Sequence, residues 1–98
     1  MTINKVVDGD KITISPEGML DTANAPAFEA AMEEVLQVTK NLTLDFAKVE
    51  YISSSGLRVL LKAQKKIGAV GEMTLINVNQ SVSEVFEQTG FNSILNIV

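Results

Sequence analysis

The sequence predicts an α/β fold: a mixed, mostly parallel sheet of four to five strands, opened by an N-terminal β-hairpin and covered by three to four helices. Three observations point there. β-Prone runs alternate with stretches of helical period along most of the chain. An Asp8-Gly9 pair separates the first two β-prone runs, the mark of a tight antiparallel turn. Finally, 46% of the 98 residues are hydrophobic, enough for a core that needs no staples.

The elements follow in order. Ile3 to Val7 forms one hairpin arm, and Ile12 and Ile14 alternate with Lys11, Thr13 and Ser15 on the other. Pro16, Glu17 and Gly18 are expected to break that strand. Asp21-Thr22-Ala23-Asn24 offers helix caps, and Pro26 suits a first turn. Phe28, Ala31, Met32, Val35 and Leu36 then recur at helical spacing, with Glu29, Glu33, Glu34 and Gln37 on a solvated side and Asn41 as the stop. Leu42 to Phe46 reads as a strand. After Lys48 to Ile52, Ser53-Ser54-Ser55-Gly56 opens a second helix running from about Ser55 to Ile67. Its apolar stripe is Leu57, Val59, Leu60, Leu61 and Ala63, opposite a basic row of Arg58, Lys62, Lys65 and Lys66.

Gly68 and Gly71 are expected to close that helix and open a strand from Met73 to Val78. Ser81-Val82-Ser83-Glu84 has the form of a capping box for a third helix that buries Val82, Val85 and Phe86. Gly90 stops it, with Phe91 placed for the apolar contact of a glycine cap. Ile94, Leu95, Ile97 and Val98 make a last strand or an apolar tail. Met19, Met32 and Met73 read as core. No repeat or linker interrupts the chain, so residues 1–98 are expected to form a single domain.

Composition narrows the function classes. There is no His and no Cys, which removes the Ser-His-Asp triad, a thiol nucleophile, thiolate-bound zinc and disulfides. No Ser-x-x-Lys, Gly-x-Gly-x-x-Gly or phosphate-binding P-loop occurs. The net charge of −4 argues against direct nucleic-acid binding. The N-terminus lacks the form of a signal peptide, and no apolar run approaches the ~20 residues of a membrane span. A cytoplasmic protein without a membrane partner, cofactor or metal, acting by binding rather than catalysis, is the expectation.

In a parallel α/β sheet, sites gather beyond the carboxyl ends of the strands. Asp21 to Asn24 and Ser53 to Gly56 are the polar segments expected there. A hydroxyl at a helix start lies beside unpaired N–H groups and the positive end of the helix dipole. A phosphate on it would be partly accommodated and would add about −1.5 to −2 charges. The same serines also serve simply as a cap and tight turn, and Asp21 as a cap. The basic row is either a solvated face or a phosphate- or partner-binding surface.

The stretch from Leu44 through Asp45 and Ser53-Ser54-Ser55-Gly56 to Leu57 resembles the STAS-domain signature. The similarity extends to Gly18-Met19-Leu20-Asp21, the Pro26-to-Phe28 helix start and Thr89-Gly90-Phe91, over nearly the whole chain. Within that family the chain resembles bacterial anti-sigma factor antagonists. The resemblance implies the STAS fold and a non-enzymatic partner switch. The unphosphorylated protein binds an anti-sigma factor that is also a serine kinase; phosphorylation releases it, and a PP2C-type phosphatase restores it. The family's acceptor falls on Ser54, and its two aspartates on Asp21 and Asp45. Asp21, Thr22, Asn24, Ser53, Ser54, Ser55, Gly56 and Leu57 are the implied docking face. Many relatives carry Asp before the acceptor where this chain has Ser53, which leaves three adjacent hydroxyls, all eligible on physical grounds. Two other readings stand beside this one: a STAS signalling scaffold subunit with another partner, and a small Mg²⁺-dependent enzyme or carrier using Asp21 and Asp45.

Overall fold

The hairpin forms where Asp8-Gly9 predicts it. In the computed structural model, which describes residues 1–98, β1 (Thr2–Asp8) and β2 (Lys11–Leu20) pair antiparallel with Asp8 opposite Lys11, and Gly9 turns with φ +64°. β2 then departs from expectation, because Pro16 does not end it. Pro16 stays in the strand opposite Ile3. β2 pairs in parallel with β3 (Asn41–Asp45) through Lys11 to Ile14, and with β4 (Val49–Ile52) from Gly18 to Leu20. Pro16 falls in the gap between these partners. The register shifts between Gly18 and Met19, and Gly18 takes φ +103°, which only glycine adopts readily. The Pro-Glu-Gly segment therefore redirects the strand instead of breaking it.

The sheet runs β1-β2-β3-β5-β6 with β4 also on β2; β5 is Glu72–Ile76 and β6 Asn96–Ile97. Every pairing but the hairpin is parallel. This is the expected mixed, mostly parallel sheet. It has six strands because the four residues of β4 and the two of β6 both pair.

Helix α1 (Ala25–Leu36) buries Phe28, Met32 and Val35, and α2 (Ser54–Ile67) buries Leu57, Val59, Leu60, Ala63 and Ile67. The two helices pack against each other. Their apolar faces join Ile14, Leu42, Leu44, Phe46, Met73 and Leu75 of the sheet region in one core. Each large side chain removed fully from water there contributes roughly 1.5–3 kcal/mol. α1 stops at Leu36, before Asn41, because Asn41 already pairs with Glu72 in β3. Thr39 bridges the gap: its hydroxyl donates to the Asp10 carbonyl and accepts the Asn41 N–H at 3.0 Å. Gly68 ends α2 in a right-handed conformation, not the left-handed one of a glycine cap.

The third helix, α3 (Gln80–Thr89), corrects the expected capping box. Its cap is Asn79, whose Oδ1 accepts the Val82 N–H at 2.9 Å. Asn79 Nδ2 donates to the Val49 carbonyl at 2.7 Å, tying the helix start to β4. Ser81 already lies inside the helix. Asn79→Ala is therefore expected to cost about 1–2 kcal/mol, and Ser81→Ala a few tenths, as read by urea unfolding of the two variants. The other end follows expectation: Gly90 caps α3 with φ +78°, and Phe91 packs against the core.

Candidate functional site

The site begins with a register. Leu20 and Ile52 are parallel partners at the carboxyl ends of β2 and β4, so both chains leave the sheet side by side. One becomes the Asp21–Asn24 loop and the other the start of α2. Hydrogen bonds hold the two exits together. Ser53 donates both its N–H and its hydroxyl to the Leu20 carbonyl, at 2.9 and 3.1 Å. The hydroxyls of Thr22 and Ser55 are 3.1 Å apart. The two segments anticipated at the strand ends thus do meet.

Within the first loop, Asp21 and Asn24 build the turn. Asp21 Oδ1 accepts the Asn24 N–H at 3.0 Å, its carbonyl accepts the Ala25 N–H at 2.8 Å, and Asn24 Nδ2 donates to the Met19 carbonyl at 2.9 Å. Asn24 occupies the cap position of α1 without a side-chain cap bond.

The start of α2 is arranged differently. Ser53 occupies the cap position, but its hydroxyl is turned to Leu20 and caps nothing. The Ser53 carbonyl accepts the Leu57 N–H at 2.9 Å, so the N–H groups of Ser54, Ser55 and Gly56 precede the first helical acceptor. No acidic residue occupies the first turn. Ser54 is the first helical residue and is exposed; Ser55 is half-buried beside Thr22.

Two residues of the anticipated docking face lie inside the molecule. Gly56 is buried, and a Cβ there would stand 2.8 Å from both the Leu20 carbonyl oxygen and Ile52 Cγ1. Leu57 is 7% exposed and belongs to the core. They press the start of α2 against the strand ends instead of presenting surface.

Met19, anticipated in the core, is 45% exposed and pairs across the strands with Tyr51, 44% exposed. Leu20 points inward, so its neighbour Met19 must point out. Together they add an apolar patch beside the loop. Alternation around Leu20 was the available signal for it.

Asp21 and Asp45 do not form a pair for Mg²⁺. Ile14 and Leu44 are register partners; Asp21 lies seven residues past the first and Asp45 one past the second. At about 3.3 Å per residue, that difference separates them by roughly 20 Å along the sheet. Asp45 Oδ1 instead accepts the Ala47 N–H and Asn77 Nδ2, both at 3.0 Å, holding Asn77 at φ +58°.

The basic row of α2 is exposed, as a solvated face would be, but it meets the acidic side of α1 at one residue. Lys62 of α2 reaches Glu29 Oε2 at 3.0 Å and Glu33 Oε1 at 3.3 Å across the α1–α2 seam. Hydrogen bonds to Glu29 and then Glu33, with their charges, raise its pKa above the ordinary 10.5. A raised pKa means stabilisation that is full below the unfolded value and fades as pH rises through the folded one. Lys62→Gln is expected to lower the melting temperature slightly at neutral pH, with the difference from the native chain shrinking in strong alkali and in high salt. Thermal melts across pH and salt check this.

Residues 2–98 match the family model of the STAS domain. A Bordetella bronchiseptica protein, provisionally named anti-sigma factor antagonist BtrV, is 38% identical over 96 residues, covering 96% of this chain and 81% of its own. The anti-sigma-B factor antagonist of Listeria monocytogenes is 33% identical over 93 residues, covering 92% and 81%. Among solved structures, an anti-sigma factor antagonist from Mycobacterium paratuberculosis has the same fold, with a TM-score of 0.90 at 23% identity over 98% of this chain and 83% of the other. No helix is long and apolar enough to cross a membrane.

Proposed function

The chain belongs to the STAS domain family, and we propose that it is an anti-sigma factor antagonist controlled by phosphorylation of Ser54. Unmodified, it binds an anti-sigma factor that is also a serine kinase and so frees the sigma factor. Phosphorylated on Ser54, it lets the kinase go, and a PP2C-type phosphatase resets it. The chain needs no catalytic group of its own, because its partners supply the chemistry.

The observation that carries this reading is the start of α2. Ser54 is exposed at the first helical position, next to N–H groups without helical acceptors and without an acidic neighbour in the turn. A phosphate there meets donors and the positive end of the helix dipole, so the fold tolerates it. Its charge nevertheless sits on the surface that a partner would cover. Ser53 and Ser55 are less suited, since one hydroxyl is committed to Leu20 and the other faces Thr22. Thr22, the half-buried edge of Asp21 and Asn24, and the Met19–Tyr51 patch extend this surface.

The test is incubation with the cognate kinase and ATP, followed by mass-spectrometric mapping of the phosphate. One phosphate on Ser54 supports the reading. Stoichiometric modification of Ser53 or Ser55 instead refutes the acceptor, and no modification removes the switch.

A further inference from the structure

Arg58 is the one member of the α2 basic row placed to reach the phosphorylation site, and it has no ion-pair partner. Lys62 is held by Glu29 and Glu33, but no carboxylate lies within 4.0 Å of the Arg58 guanidinium, and the residue is exposed. Successive helix residues are about 100° apart, so Arg58 stands roughly 40° from Ser54 and roughly 60° from Ser55 around the α2 axis, one turn along. Side chains four apart meet on a helix surface, and helix side chains lean toward the N-terminus. That lean puts the serines of the first turn within the sweep of the guanidinium. Arg58 lines a shallow groove of about 360 Å³ with Thr22, Pro26, Glu29, Ser55 and Lys62.

We propose that Arg58 is the phosphate-holding residue of the switch: it pairs with the phosphate on Ser54 across the first turn of α2 and fixes the dianion over the Thr22–Ser55 edge. The proposal rests on phosphorylation at Ser54. A guanidinium offers a planar set of donors that matches phosphate oxygens. The pair would lock the modified serine in one orientation without disturbing the fold, leaving the local charge reversed from cationic to anionic. The other charged groups lining the groove, Glu29 of α1 and Lys62 of α2, are already engaged with each other.

The test installs phosphoserine directly at position 54 during translation, with Arg58 native, Arg58→Gln or Arg58→Lys, and titrates the phosphate by ³¹P NMR. Arg58→Gln should raise the second phosphate pKa by about 0.3–1 unit relative to the native background, with Arg58→Lys recovering part of the difference and high salt erasing it. Equal pKa values in all three proteins would overturn the proposal. The unphosphorylated variants serve as fold controls by their melting temperatures. Because the phosphate is installed rather than transferred, this result is independent of whether the kinase chooses Ser54, which the mass map decides separately.

Discussion

Ser54→Glu is expected to weaken binding to the anti-sigma factor kinase by roughly tenfold or more, while Ser54→Ala binds like the native chain and accepts no phosphate. The difference follows from where the residue sits. Ser54 is exposed and makes no side-chain hydrogen bond, so removing its hydroxyl leaves no orphaned group and costs the fold little. Glutamate at the first helical position is compatible with the helix dipole, so the variant folds. Its charge lies in the middle of the proposed docking face, where a partner must desolvate it or meet it with an opposite charge. Titration calorimetry with the purified kinase separates the variants. Native-like binding by Ser54→Glu together with loss of binding by Ser54→Ala would reverse the assignment, making the hydroxyl itself the contact.

The second large effect concerns the glycine two residues on. Gly56→Ala places a Cβ 2.8 Å from the Leu20 carbonyl oxygen and from Ile52 Cγ1, and 3.1 Å from Leu20 Cβ. That carbonyl cannot retreat freely, because it accepts both donors of Ser53. Alanine favours helix by up to about 1 kcal/mol over glycine, but the overpacking costs more, leaving a net loss of about 1–3 kcal/mol. For a chain of this size the melting temperature should fall by about 5–20 °C. The same displacement pushes the start of α2 away from the Asp21–Asn24 loop, so modification of Ser54 should slow in a protein that remains folded. An unchanged or higher melting temperature would show that the close approach of α2 to the strand ends is not structural.

The parts of the molecule that depend on local pattern were legible in the sequence. The Asp8-Gly9 hairpin, the spacing of Phe28, Met32 and Val35, and Gly90 with Phe91 all express short-range rules, and the structure obeys them. The departures arise where a distant partner decides. Pro16 stays in β2 because the strand changes neighbours around it, and pairing cannot be read from one strand alone. Asn79 outcompetes Ser81 as a cap because its amide also reaches Val49 in β4, a contact thirty residues away in sequence. The opposed charges of α1 and α2 look like two solvated faces until the helices are set side by side.

The candidate site divides in the same way. That its two loops should meet follows from the general rule for parallel strands, and the Leu20–Ile52 register realises it. Which hydroxyl is free does not follow from Ser53-Ser54-Ser55-Gly56. Only the bonds of Ser53 to Leu20 and of Ser55 to Thr22 single out Ser54. The exposure of Met19, by contrast, was within reach of the sequence, because Met19 alternates with the inward-facing Leu20.

Partner control by one surface charge is most directly tested by titrating the anti-sigma factor kinase with the unmodified chain and with the chain carrying phosphoserine at position 54. Tight binding of the first and a loss of roughly tenfold or more for the second is the predicted result. Equal affinity of the two forms would contradict it.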